Sequence, residues 1–206
     1  MHETMVVGSP EALAAVLEVG ELLELTEVSD VVIVPTAAAF TGVTQAAIQL
    51  SLLFETSGAK VEALMNADRA SNDEPYFAER VRAADVVVLS DGSPLHAKSV
   101  WHGSTLGEAI RDARRLVAIG SVGSVLGEVM IDPRGGAPTT GLGYRNGLVI
   151  TVSESDEQLA RTRTLLGQGE TLAVLGARGV VYFDGVRWRT GSDDVIVTRA
   201  HDVVEL

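Results

Sequence analysis

Two rhythms of apolar residues alternate along this chain. One is the short unbroken run: Val31–Val34 (VVIV), Val86–Leu89 (VVVL) and Leu116–Ile119 (LVAI) are apolar quartets. Runs of this length, rich in β-branched residues and closed by Pro, Ser or Gly, predict strands buried on both faces. Met5–Val7, Lys60–Leu64 and Leu148–Val152 are shorter or more mixed candidates of the same kind. The other rhythm is helical. Ser9-Pro10 supplies an N-cap and a first-turn proline for a helix to about Glu24. Ala47, Leu50 and Phe54 share a face of a helix over 46–56 that stops at Gly58. Asn72 and Pro75 open a helix to Ala84, with Phe77 and Val81 four apart. Thr105-Leu-Gly-Glu108 reads as a capping box for a helix to about Arg115, and Ser155 with Gln158 caps another that ends near Gly167–Gly169. The strand at Leu116–Ile119 is expected to turn directly into a helix reaching about Met130. Asp132–Gly147, rich in Gly and Pro, is expected to be a loop, as is the segment holding His96 and His102.

After Glu170 the period becomes strand-like. Thr171–Leu175, Val180–Phe183, Val186–Thr190 and Val195–Thr198 are short strand candidates, with Asp184-Gly185 as a type I′ hairpin turn. Alternation of strand and helix followed by a β-rich tail predicts an α/β fold: a doubly wound, mostly parallel sheet with helices on both faces and a C-terminal antiparallel extension at one edge. Residues 1–206 read as a single domain, without repeat or linker.

Composition narrows the functions. Net charge is −12, with two lysines among 16 basic residues and no basic stripe, so nucleic acid is not an expected partner. No apolar run approaches the roughly 18–20 residues that span a bilayer. The N-terminus lacks a basic segment followed by an apolar one, so neither a signal peptide nor a membrane partner is expected, and a cytoplasmic protein is. The absence of cysteine removes thiolate nucleophiles and thiolate metal sites. The four histidines show no metal-ligand spacing, and neither a metal nor another cofactor is expected.

The chemistry concentrates where strands end. Three loops leave strand ends with turn residues: 35–40 (PTAAAF), 90–94 (SDGSP) and 120–124 (GSVGS). In an open parallel sheet they face one crevice beyond the carboxyl ends of the strands. Loop 132–147 is placed to close over it, with Arg134 and Arg145 in reach of a carboxylate. A glycine- and serine-rich strand-to-helix turn supports three readings. It can present a nucleophilic serine, which needs a sharp turn, a base and backbone donors for an oxyanion. It can bind an anion at the helix N-terminus near Gly123–Val125, here without a P-loop lysine. It can also simply be a junction that packs closely. Gly92 and Val122 are the candidate N–H donors, with Asp91 and Ser124 beside them.

Taken in order, these segments resemble the peptidase S51 family (cyanophycinase, dipeptidase E and relatives) of the class I glutamine-amidotransferase-like fold. IVPTAAA at 33–39 is similar to the family's strand and "PTAS" segment, and ADVVVLSDGSPLH at 84–96 to "AD…FTGGDQ". LVAIGSVGSVLGEVMID at 116–132 is similar to "VIAGTSAGA" and its helix, and GLGY at 141–144 to "GLGL". The resemblance implies a serine nucleophile in the turn, a histidine base downstream of GLGL, and an oxyanion hole that includes the GG segment. The chain departs at all three. Aligned without gaps, the nucleophile position falls on Val122; with one deletion after Ser124, Ser121 takes it, and the branched Ile119 stands where a small residue belongs. The strand end 149–155 holds no histidine, and the next one downstream is His201. Asp91 replaces the first glycine of GG.

The expectation is therefore a catalytically degenerate S51-like protein that keeps a crevice for a small peptide or acidic small molecule. The alternative is an active serine hydrolase with Ser121 as nucleophile and His96 or His102 as substitute base. Lacking cysteine, the chain cannot hydrolyse glutamine by the cysteine route of the fold. The resemblance also implies self-association, with a homodimer expected through the edge strands near Val180–Trp188.

Overall fold

The apolar quartets become the centre of one sheet. The computed structural model describes residues 2–152, 155–200 and 202–206. In chain order its first half runs β1 (Glu3–Val7), α1 (Pro10–Val19), β2 (Asp30–Val34), α2 (Val43–Glu55), β3 (Lys60–Ala63), α3 (Arg69–Asn72), α4 (Pro75–Ala83), β4 (Val86–Leu89), α5 (Pro94–Trp101), α6 (Thr105–Arg111) and β5 (Arg115–Ile119). The remainder is β6 (Val129–Ile131), β7 (Pro138–Thr140), β8 (Val149–Val152), α7 (Asp156–Leu165), β9 (Thr171–Leu175), β10 (Val180–Phe183), β11 (Trp188–Thr190), β12 (Val195–Arg199) and β13 (Asp202–Val203).

The main sheet has the order β11-β10-β1-β5-β4-β2-β3. Its five members from β1 to β3 are parallel, and β10 and β11 add antiparallel strands beyond β1. Alternate residues of each strand enter opposite cores, as a period of two requires. Val32, Val34, Val87, Leu89, Leu116 and Ala118 pack against α4, α5 and α6, with Trp101 fully buried among them. Val31, Ile33, Val86, Val88, Val117 and Ile119 pack against α1 and α2 through Leu13, Leu50 and Phe54. The expected mostly parallel α/β sheet with helices on both faces is what forms.

Several local expectations are corrected. The first helix ends at Val19, because Gly20 takes a left-handed C-cap (φ 74°) and returns its N–H to Val16 O. No α-helix directly follows β5. Gly120–Leu126 is a 3-10 segment that ends at the extended Gly127, and Val129–Met130 belongs to β6. Two glycines and β-branched valines make that stretch a poor α-helix former. Loop 132–147 contains β7, paired antiparallel with β6. His96 lies in α5 and His102 is its C-cap, with Ser93 and Pro94 opening the helix. The Asp184-Gly185 turn is not type I′: of its residues only Gly185 has a positive φ (93°), the Asp184 N–H donates to Arg187 O at 3.2 Å, and the Asp184 carboxylate accepts the N–H groups of Val186 and Arg187. The tail is not only an edge extension. β8, β9, β12 and β13 form a second sheet in which β8 and β9 are parallel.

Candidate functional site

The loops after β2, β4 and β5 interlock at the carboxyl end of the sheet. Ser93 N–H donates to Ala37 O at 2.8 Å. Gly92 has φ 149°, and a Cβ there would lie 2.1 Å from Ala37 O, so only glycine fits this crossing. Gly120 has φ 64°, and a Cβ there would lie 2.3 Å from Asp91 Cγ. The positive φ of the turn after β5 is thus carried by Gly120 and by neither serine.

At the centre of this junction sits a carboxylate. Asp91 Oδ1 accepts the Gly92 N–H at 2.7 Å and the Ser121 N–H at 2.9 Å. Convergent backbone N–H groups in a turn are what binds an anion or a developing oxyanion. Here the chain's own aspartate occupies them. Val122, the other candidate donor and the gap-free nucleophile position, has its side chain at 0% exposure in the core. Ser124 is buried and its hydroxyl donates to Ser121 O at 2.8 Å. Ser121 is partly exposed, and its Oγ has no hydrogen-bond partner among the described residues.

Neither candidate imidazole bonds to that hydroxyl. His96 Nε2 donates to Ala67 O at 2.6 Å, and its ring meets Phe40 edge-on with centroids 5.0 Å apart. His102 is exposed at the end of α5, where its carbonyl accepts Arg69 Nη1 at 2.6 Å. His201, Ser153 and Glu154 lie outside the described residues.

Ser121 borders a cavity of about 300 Å³ between α5, the turn after β5, and the end of β8. Ser124, Thr151, Ser155 and Gln158 supply its polar wall, and no charged side chain lines it among the described residues. The capping pair Ser155 and Gln158, read from the sequence only as a helix start, faces the same space. Arg145 does not reach it. This buried guanidinium donates to Thr4 Oγ1 (2.6 Å), Arg111 O (2.9 Å), Tyr144 O (2.7 Å) and Ala113 O (3.3 Å). Arg134 pairs with Asp132 at 2.7 Å and holds that carboxyl below its ordinary range. Among the described residues no group of three or more His, Asp or Glu is placed to hold a metal, and no helix is long and apolar enough to cross a membrane.

No family model matches the chain, and no curated protein matches it. Solved structures do. A peptidase from an acI-B1 Actinobacterium superposes with a TM-score of 0.77 at 18% identity, covering 100% of this chain and 94% of that one. A provisional Peptidase E protein from Listeria monocytogenes EGD-e superposes with a TM-score of 0.60 at 13% identity, covering 97% and 98%. The chain therefore shares its fold with peptidases over nearly its whole length.

Proposed function

We propose that this chain is a peptidase S51-type protein that has given up the family's hydrolytic mechanism and kept a small, uncharged, hydroxyl-lined crevice. The observation that carries the reading is the Asp91 carboxylate on the N–H groups of Gly92 and Ser121. An oxyanion forming beside it would meet a like charge, and the donor that should stabilise it is already engaged. Removing one such donor typically costs ~10²–10³ in rate. The second support is the engagement of His96 Nε2 at Ala67 O, so that neither candidate imidazole bonds to Ser121 among the described residues. General-base assistance is worth another ~10²–10⁴.

The crevice suits a short peptide or small polar molecule whose amides and hydroxyls meet Ser124, Thr151, Ser155 and Gln158. Incubation of the full chain with a panel of aspartyl dipeptides tests both halves of the reading. The expected outcome is no release of free amino acid, together with a saturable rise in Tm for at least one dipeptide. Turnover that disappears in Ser121→Ala would overturn it.

A further inference from the structure

The chain has three asparagines, and the fold treats them in opposite ways. Asn66 and Asn72 are fully buried. Asn66 Nδ2 donates to Thr36 Oγ1 at 2.7 Å and to Asn72 Oδ1 at 2.9 Å, and Asn72 Nδ2 donates to Asp68 O. Ala67 and Asp73 follow them in the chain. Asn146 is exposed and is followed by Gly147, which is exposed as well. The pair lies between two fixed points. Before it stands Arg145, whose guanidinium is tied to Thr4, Arg111 and Ala113; after it comes the buried Leu148, which leads into β8.

Asparagine is a thermolabile residue, because its side-chain amide can be displaced by the next nitrogen in the chain. Here that nitrogen is free. The Gly147 N–H donates no hydrogen bond among the described residues. No side chain shields it, and even the place a Cβ would take is open, with Trp188 Cδ1 as its nearest neighbour at 3.9 Å. The Asn146 amide is tethered by one bond, from Nδ2 to the exposed Glu128 Oε1 at 2.9 Å. The Asn146 main-chain carbonyl accepts Trp188 Nε1 at 2.9 Å.

We propose that Asn146 is a site of spontaneous deamidation in the folded chain, and that the isoaspartyl product releases Trp188. The Gly147 nitrogen loses its proton to hydroxide and attacks Asn146 Cγ. The Cγ–Nδ2 bond breaks, ammonia leaves, and a succinimide ring closes. Water then opens the ring at either carbonyl. Opening at the side-chain carbonyl gives aspartate, which sets a second carboxylate beside Glu128 in place of a donor. Opening at the main-chain carbonyl gives isoaspartate. The chain then runs through Cγ and is one carbon longer, between a fixed Arg145 and a buried Leu148. The carbonyl that held Trp188 becomes a branch carboxylate and leaves its place. Either route consumes one water and releases one ammonia.

Incubation of the full chain in mildly alkaline buffer, followed by intact-mass measurement and peptide mapping, tests this. The folded chain is expected to gain about one mass unit at residue 146, faster at higher pH, and none at Asn66 or Asn72. Asn146→Gln needs a larger ring for the same attack and is expected to gain mass at least tenfold more slowly. As isoaspartate accumulates, tryptophan emission is expected to move to the red through Trp188, since Trp101 stays fully buried. The proposal is overturned if the folded chain gains nothing at residue 146, if Asn66 or Asn72 reacts as fast, if Asn146→Gln gains mass as fast as the parent, or if isoaspartate at 146 leaves the emission unchanged.

Discussion

Asp91 and Arg145 are two ions held mainly by backbone groups, and they sit in opposite surroundings. Arg145 is sealed. It spreads its donors over three carbonyls and Thr4 Oγ1, with no carboxylate in salt-bridge reach among the described residues. Burial pushes its pKa down, and Asp112 opposes that shift. Asp91 is an exposed residue whose Oδ1 takes two amides at the carboxyl end of the sheet. The same dipole physics therefore does two jobs. In the sealed case it ties β1, the end of α6 and the segment after β7 together. In the open case it occupies two convergent N–H groups, which under the proposed function are thereby withheld from a ligand or transition state. Loss of the sealed ion damages stability; loss of the open one changes what binds.

The comparison breaks hardest at Arg145. Arg145→Met removes the guanidinium donors of the part-buried Arg111 O and Tyr144 O and of the buried Thr4 Oγ1, while Ala113 O keeps His2 Nδ1; at ~1–3 kcal/mol per lost partner before relaxation, it is expected to cost about 4 kcal/mol in urea unfolding. Gly92→Ala attacks the open site's scaffold. The strained φ and the overlap with Ala37 O together predict a loss of about 3 kcal/mol in the same measurement. Tyr144 sharpens the sealed side. Burial pushes its phenol up to about 12. The folded chain then holds this proton more tightly than the unfolded chain, whose value is ~10. Its contribution is complete below pH ~10 and is lost as pH rises toward 12. Tyr144→Phe is expected to flatten that alkaline decline by roughly 2 kcal/mol, read from unfolding at several pH values. The smallest effect on stability belongs to Asp91. Asp91→Gly is expected to cost under about 1 kcal/mol, as for an exposed polar contact. Calorimetric titration with sulfate should then detect binding in the variant and none in the parent chain.

Legibility in the sequence follows the range of the forces involved. The quartets at 31–34, 86–89 and 116–119 announce the sheet, because burial on both faces leaves nothing but apolar residues. Caps announce helices less evenly: Ser9 and Ser155 cap α1 and α7 as expected, whereas Ser104 rather than Thr105 caps α6 and Glu74 precedes α4 without a side-chain cap. Ser9-Pro10 and Ser93-Pro94 carry the same signal and open α1 and α5 alike, although only the first is followed by an obvious amphipathic run. The turn after β5 is legible in the sequence as a turn but not as a 3-10 segment, since its glycines serve close approach to Asp91 and Val6 rather than an α-helix. The second sheet depends on pairing β8 with β9 across α7, which no local pattern encodes. At the site, the identity of Asp91 is visible in the sequence but its direction is not. That direction is set by a 2.9 Å contact to a residue 30 positions away. Arg145 was similarly visible as a charge and invisible as a buried one.

The central claim is that the hydroxyl in this turn lacks the base and the donor that would make it reactive. Incubation of the full chain with a fluorophosphonate probe, followed by intact-mass measurement, tests it most directly. The account predicts the unmodified mass after prolonged exposure; a single adduct that forms on the parent chain and is absent from Ser121→Ala would contradict it.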